Sequence, residues 1–125
     1  RLAGGTALSS RFRVSPTERS LMIGRMATYR FSGDAHDLGR RAEAGILPIL
    51  QASPGFAAYT VSAGDGEVFS LSAWDTRGDA EAANEAVGAW VSENMAGELE
   101  LVGVRYAEIL FSTTLGVSTL AGSTP

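Results

Sequence analysis

Phe56-Ala57-Ala58-Tyr59-Thr60-Val61-Ser62-Ala63-Gly64-Asp65-Gly66-Glu67-Val68-Phe69-Ser70-Leu71-Ser72-Ala73-Trp74 reads as strand, turn, strand. Ala63 to Gly66 is a hairpin turn, because an Asp-Gly pair takes the positive φ angles that tight hairpins need. Phe56 to Val61 is then one strand and Glu67 to Trp74 the next. In the later strand, period-two alternation puts Val68, Ser70, Ser72 and Trp74 on one face and Phe69, Leu71 and Ala73 on the other.

Upstream of the hairpin, Ser53-Pro54-Gly55 ends a helix expected from about Asp37 to Gln51, with Asp34 or Asp37 as its cap. Leu38, Ala42, Ile46 and Ile49 recur along one helical stripe, and Pro48 predicts a kink between Gly45 and Pro48. Before that helix, Ile23 to Phe31 is a strand, with Ile23, Ala27, Tyr29 and Phe31 on one face and Arg25 interrupting them. Downstream, Asp75 or Thr76 caps a helix over about Asp79 to Met95, with Ala80, Ala83, Val87, Trp90 and Val91 inward and Gly97 as its carboxyl-end cap. A last strand is expected from about Leu101 to Ser112, and a small, polar, loose tail follows Thr114.

The order β-α-β-β-α-β is the ferredoxin-like split motif: an α+β fold with two helices on one face of a four-stranded antiparallel sheet. The strands are apolar on both faces, and two helices cover only one. A second copy of the chain is the simplest cover for the other, so a homodimer is expected. The chain divides into an N-terminal extension (1–21), the domain (22–115) and a C-terminal tail (116–125). In the extension four arginines face one acid, Glu18, and the apolar h-region of a secretory signal is missing. Phe12 and Val14 alternate there with Arg11 and Arg13, which allows a short added strand, and Met22 reads as a natural start.

Composition narrows the chemistry. The chain has 125 residues, 45% hydrophobic and 19% charged, with a net charge of −4. An acidic domain without basic clusters is a poor nucleic-acid binder, and no apolar run of about 18 residues is present to engage a membrane core. No cysteine is present, which removes disulfides, thiolate nucleophiles and thiolate metal sites. A single histidine, His36, removes a multi-histidine zinc site, and the lack of lysine removes a Schiff base. No metal, no cofactor and a cytoplasmic location are therefore expected.

Gly45-Ile46-Leu47-Pro48-Ile49-Leu50 with Ser53-Pro54-Gly55-Phe56, the run Glu67 to Asp75, and Ala89-Trp90-Val91-Ser92-Glu93-Asn94 together resemble the dimeric α+β barrel superfamily. The resemblance is to its antibiotic-biosynthesis-monooxygenase-like branch and covers about Met22 to Leu115. It implies paired sheets between two subunits and a pocket in each, between helices and sheet. Activities in the branch range from cofactor-free oxidation of aromatic polyketide intermediates to haem degradation and isomerisation, so fold does not fix function. Haem-degrading members pair a strand-one Asn and a strand-three Trp with a His on helix two. Trp74 matches, but the first strand has no Asn and the second helix no His, which argues against haem.

Within that frame Ser70, Ser72 and Trp74 are candidate pocket residues, with Tyr29 and Tyr59 on neighbouring strands. Serines under helices leave a hollow lined with hydroxyls, Trp74 is a pocket wall or ordinary core, and a pocket tyrosine could orient or protonate a substrate oxygen. Tyr106 could do the same or simply pack. His36 is a solvated loop residue unless it folds over the pocket mouth. Arg25, Arg30 and Arg105 take surface or edge positions unless one neutralises an anionic ligand. Asn84 and Asn94 face solvent or cap. No nucleophile-base pair, phosphate loop or carboxylate dyad is readable. The leading expectation is a cofactor-independent monooxygenase or related enzyme acting on a small aromatic or enolisable molecule. The alternative is a non-catalytic dimeric module for small-ligand binding or assembly.

Overall fold

In the computed structural model, which describes residues 22–120, the largest unit spans Ile23–Glu108. Its elements are β1 (Ile23–Phe31), α1 (Ala35–Gln51), β2 (Phe56–Gly64), β3 (Glu67–Trp74), α2 (Arg77–Asn94) and β4 (Leu99–Glu108). The four strands form one antiparallel sheet in the order β2-β3-β1-β4. This is the expected ferredoxin-like α+β topology. The extension 1–21, including the strand expected around Phe12 and Val14, lies outside the described residues.

The β2–β3 hairpin closes on Asp65 and Gly66, at φ 54° and 79°. Positive φ at both central residues gives the turn whose twist matches that of the flanking strands. The turn fixes register, and register fixes faces. Tyr59 pairs with Ser72 and Val61 with Ser70; across β3, Arg25 pairs with Ser72, Ala27 with Ser70 and Tyr29 with Val68. These residues make three rows under the helices.

Asp34 caps α1, its Oδ2 accepting from the Asp37 amide at 2.8 Å. Thr76 caps α2, its Oγ1 accepting from the Asp79 amide at 3.0 Å. Such caps each contribute about 0.5–2 kcal/mol. The buried stripe of α1 is Leu38, Ala42, Ile46 and Leu50. Leu50 replaces the expected Ile49, because a step of four from Ile46 stays closer to one face than a step of three here. The helix continues through Pro48 to Gln51. On α2 the buried residues are Ala80, Ala83 and Val87, while Trp90 and Val91 are only partly buried. The helix ends on Met95, and Gly97, at φ 85°, makes the turn into β4 instead of capping the helix. Arg41 of α1 binds Glu98 ahead of β4 through both terminal nitrogens and reaches Asp37 through Nε at 3.1 Å.

One core cluster packs Ile46, Leu50, Trp74 and Val87 around small Ala42, Ala80 and Ala83. A second joins Ala27, Tyr29, Leu38, Val68 and Met95. Fully buried aliphatic side chains such as Leu38 and Leu50 each contribute about 1.5–3 kcal/mol. On the opposite face of the sheet, Met26, Phe69 and Leu71 are 38%, 41% and 46% exposed. Met26 pairs directly with Leu71, so they adjoin.

The fourth strand was expected to run to Ser112 but ends at Glu108. Phe111–Ser112 pairs instead with Val117–Ser118, in a separate unit that also holds Met22. There the Gly116 amide donates to the Ser112 carbonyl at 2.9 Å and the Thr119 amide to Leu110 at 2.8 Å. Gly116, at φ 69°, permits the reversal. Residues expected to form a loose tail thus carry a strand. Among the described residues, no helix is long and apolar enough to cross a membrane.

Candidate functional site

Ala27 and Ser70 share one row of the sheet. Ser70 lines a hollow there together with its larger neighbours Arg25, Tyr29 and Tyr59. All five belong to the face covered by α1 and α2, as period-two alternation requires.

The hollow is a small space of about 20 Å³, lined by Arg25, Tyr29, Tyr59 and Ser70 on the sheet and by Leu38 and Ile46 among the α1 residues. That volume holds one water or one oxygen-sized group. A wider cavity of about 490 Å³ shares Leu38, Tyr59, Val61 and Val68 with it. The wide cavity opens between the first turns of α1, at His36, Gly39 and Glu43, and the β2–β3 hairpin, at Val61 and Ala63. It has room for a fused aromatic ring system, since small-molecule sites begin near about 300 Å³.

Burial pushes the Tyr59 phenol above its ordinary value of 10.0, and the nearby Tyr29 adds to the effect. A hydrogen bond with Ser70 and the positive charge of Arg25 oppose the rise without cancelling it. At neutral pH Tyr59 is therefore a protonated hydrogen-bond donor rather than a base.

Arg25 was expected at a surface or edge. It is instead 3% exposed, and its Nε donates to Asn84 Oδ1 at 2.7 Å. Asn84, expected to face solvent or cap, anchors this buried guanidinium from α2. Arg30 and Arg105 do take exposed positions; Arg30 lies 3.7 Å from Glu100. A hint to Arg25 was present in the sequence, since it breaks an otherwise apolar strand face that includes Ala27 and Tyr29.

The other candidates separate into two groups. Ser70 (6% exposed), Tyr29 and Tyr59 line the inner space. Ser72 and Trp74 lie in the adjoining core: Trp74 Nε1 donates to Ser72 Oγ at 2.8 Å, and the indole meets Phe56 edge to face at 5.5 Å. Trp74 lines neither the inner space nor the wide cavity. Tyr106 packs against the same core, with the Arg77 guanidinium 4.9 Å over its ring. His36, expected in a loop, lies in α1 and on the cavity mouth. Asn94 Nδ2 donates to the Trp90 carbonyl at 2.9 Å. Among the described residues, no three His, Cys, Asp or Glu side chains come together so as to hold a metal ion.

No protein-family model matches the chain, and no curated protein matches it significantly by sequence. Solved structures do match. A monooxygenase from the gene ActVA-Orf6 of Streptomyces coelicolor, in complex with nanaomycin D, superposes with a TM-score of 0.58 at 18% identity, covering 79% of this chain and 96% of that one. This is the antibiotic biosynthesis monooxygenase fold. A putative antibiotic biosynthesis monooxygenase from Chloroflexus aurantiacus shows the same fold at TM-score 0.54 and 17% identity, over 76% of this chain and 99% of that one. SnoaB, a cofactor-independent oxygenase from Streptomyces nogalater, matches at TM-score 0.53 and 11% identity, over 75% and 96% respectively. Chains bearing the antibiotic biosynthesis monooxygenase fold thus include cofactor-independent oxygenases, and at these identities the likeness concerns the fold alone.

Proposed function

We propose that the chain is a cofactor-independent monooxygenase, or a closely related enzyme, acting on a small aromatic or enolisable molecule. The observation that carries this reading is the cavity itself: largely apolar walls wide enough for fused rings, with the protonated Tyr59 phenol lining both the cavity and the inner space that holds Ser70 and Arg25. In such chemistry the substrate loses a proton and its carbanion reduces dioxygen. The hydroperoxide so formed loses water, so that a CH₂ group and O₂ become a carbonyl and H₂O. The protein's part is to keep bulk water out and to stabilise the anion, which a phenol donor and a nearby positive charge do. The likeness to SnoaB and the ActVA-Orf6 monooxygenase supports the class of reaction.

Oxygen uptake with anthrone as probe tests the proposal. Consumption of one O₂ for each quinone formed, above the spontaneous rate, is expected. Tight binding without uptake would favour the alternative, a non-catalytic small-ligand module.

A homodimer belongs to the same reading. Met26, Phe69 and Leu71 make an apolar face that a second copy of the sheet would cover, and stable pairs bury at least about 1,200 Å² in total.

A further inference from the structure

We infer that Arg25, with Ser70 and Tyr59, forms a seat for a single oxyanion, so that the ligand of this cavity binds as its phenolate or enolate. The inference deepens the proposed function by naming the charge state and polar group of the ligand, and it rests on that reading only for the identity of the cavity as the site.

The argument starts from cost. A guanidinium keeps its charge, and burying a charge without a counter-charge is strongly unfavourable. Arg25 is 3% exposed, yet among the described residues it has no carboxylate partner. Its hydrogen bond within that set goes from Nε to the neutral amide of Asn84. That bond fixes the plane of the guanidinium while leaving the two terminal nitrogens uncommitted. The side chain lines the inner space, where the other polar groups are the phenols of Tyr29 and Tyr59 and the hydroxyl of Ser70. None of these groups is a carboxylate, so none supplies a counter-charge. Glu43 and His36 line only the wide outer cavity. An anion arriving from that cavity would supply the missing counter-charge.

Size bears on the kind of anion. The inner space is narrow, about 20 Å³, and suits a single oxygen-sized group beside the guanidinium. The wide cavity, which shares Leu38, Tyr59, Val61 and Val68 with the inner space, then receives the ring that bears the oxygen. An oxygen on Arg25 with Tyr59 as a second donor has the strong, charge-assisted geometry of a buried oxyanion site.

The probe is 4-nitrophenol, whose neutral and ionised forms absorb differently. At a pH where free probe is half ionised, wild-type protein should raise the phenolate absorbance. A purely apolar pocket would lower it, because desolvation favours the neutral phenol. Titrations should show 4-nitrophenolate binding at least about tenfold more tightly than 4-nitroanisole, as a charge-assisted hydrogen bond to a buried partner implies. Arg25→Met should abolish both effects, and Arg25→Lys should keep part of them. A fall in phenolate absorbance with wild-type protein overturns the inference without any variant having to fold. So does an anion preference that survives in Arg25→Met, or tighter binding of 4-nitrobenzoate than of 4-nitrophenolate. Because the probe is not an oxygenase substrate, these results are separable from oxygen uptake: anthrone turnover with no anion preference leaves the function standing and removes the seat.

Discussion

A β-carbon placed on Gly45 would fall 1.9 Å from Cζ2 of Trp90 and 2.4 Å from Cε2. The indole of α2 therefore lies directly on the backbone of α1, and the pairing sets how closely the two helices pack over the sheet. Alanine is the better helix former by about 1 kcal/mol, but a rigid ring cannot yield as a flexible chain end would. Gly45→Ala should lower stability by about 1–3 kcal/mol in urea titration, and Trp90→Leu in the same chain should recover part of the loss. A Gly45→Ala protein as stable as wild type would show that the helices can separate freely.

Trp74 has its indole N–H buried against Ser72 Oγ. Ser72→Ala leaves that donor without an acceptor and should cost about 1–3 kcal/mol. Ser70→Ala removes a hydroxyl of the same size from the inner space and should act chiefly on ligand affinity. Thermal melts and 4-nitrophenol titrations of the two variants, side by side, check this division.

Tyr59→Phe removes the proposed second donor to the oxyanion while keeping the ring. The oxygen-uptake kcat with anthrone should fall by about 10²-fold, the usual effect of losing one such donor. Unchanged kcat would take Tyr59 out of the reaction.

The Arg41 guanidinium holds the Glu98 carboxyl below its ordinary value of 4.5. As pH falls through 4.5 the unfolded chain takes up this proton before the folded chain does. The stabilisation is therefore complete above that pH and fades until the folded-state value is passed. Both side chains are 40% exposed, so solvent screens the pair. In acid titrations followed by circular dichroism, Glu98→Gln should be less stable than wild type at neutral pH. The difference should close as the pH falls below 4.5.

Phe69, 41% exposed on the open face of the sheet, should lie in the proposed dimer interface. Light scattering of the wild-type chain should give about twice the chain mass at micromolar concentration. Phe69→Asp should give the single-chain mass with its circular dichroism unchanged, because a buried carboxylate opposes association while a solvated one does not.

Local signals in the sequence were enough for the order of elements, the Asp65-Gly66 turn and the faces of β3. Each depends on residues a few positions apart: turn torsions, period two in strands, and caps such as Asp34 and Thr76. The two-helix cover and the candidate hollow at Ser70 followed from those faces. Other features needed the chain to close on itself. Arg25 looked like a surface residue because what buries it is α2, whose Asn84 is 59 positions away. The Ser72 hydroxyl accepts the Trp74 indole N–H in the core and lines neither the inner space nor the wide cavity, which only the packing of the indole decides. The end of β4 at Glu108 was illegible as well, because Leu110 and Phe111 continue the apolar pattern while their backbone partners lie at Thr119 and Ser118. Periodicity tells a strand which way its side chains point, but only the assembled neighbours decide whether a polar side chain meets water, another residue or an empty space.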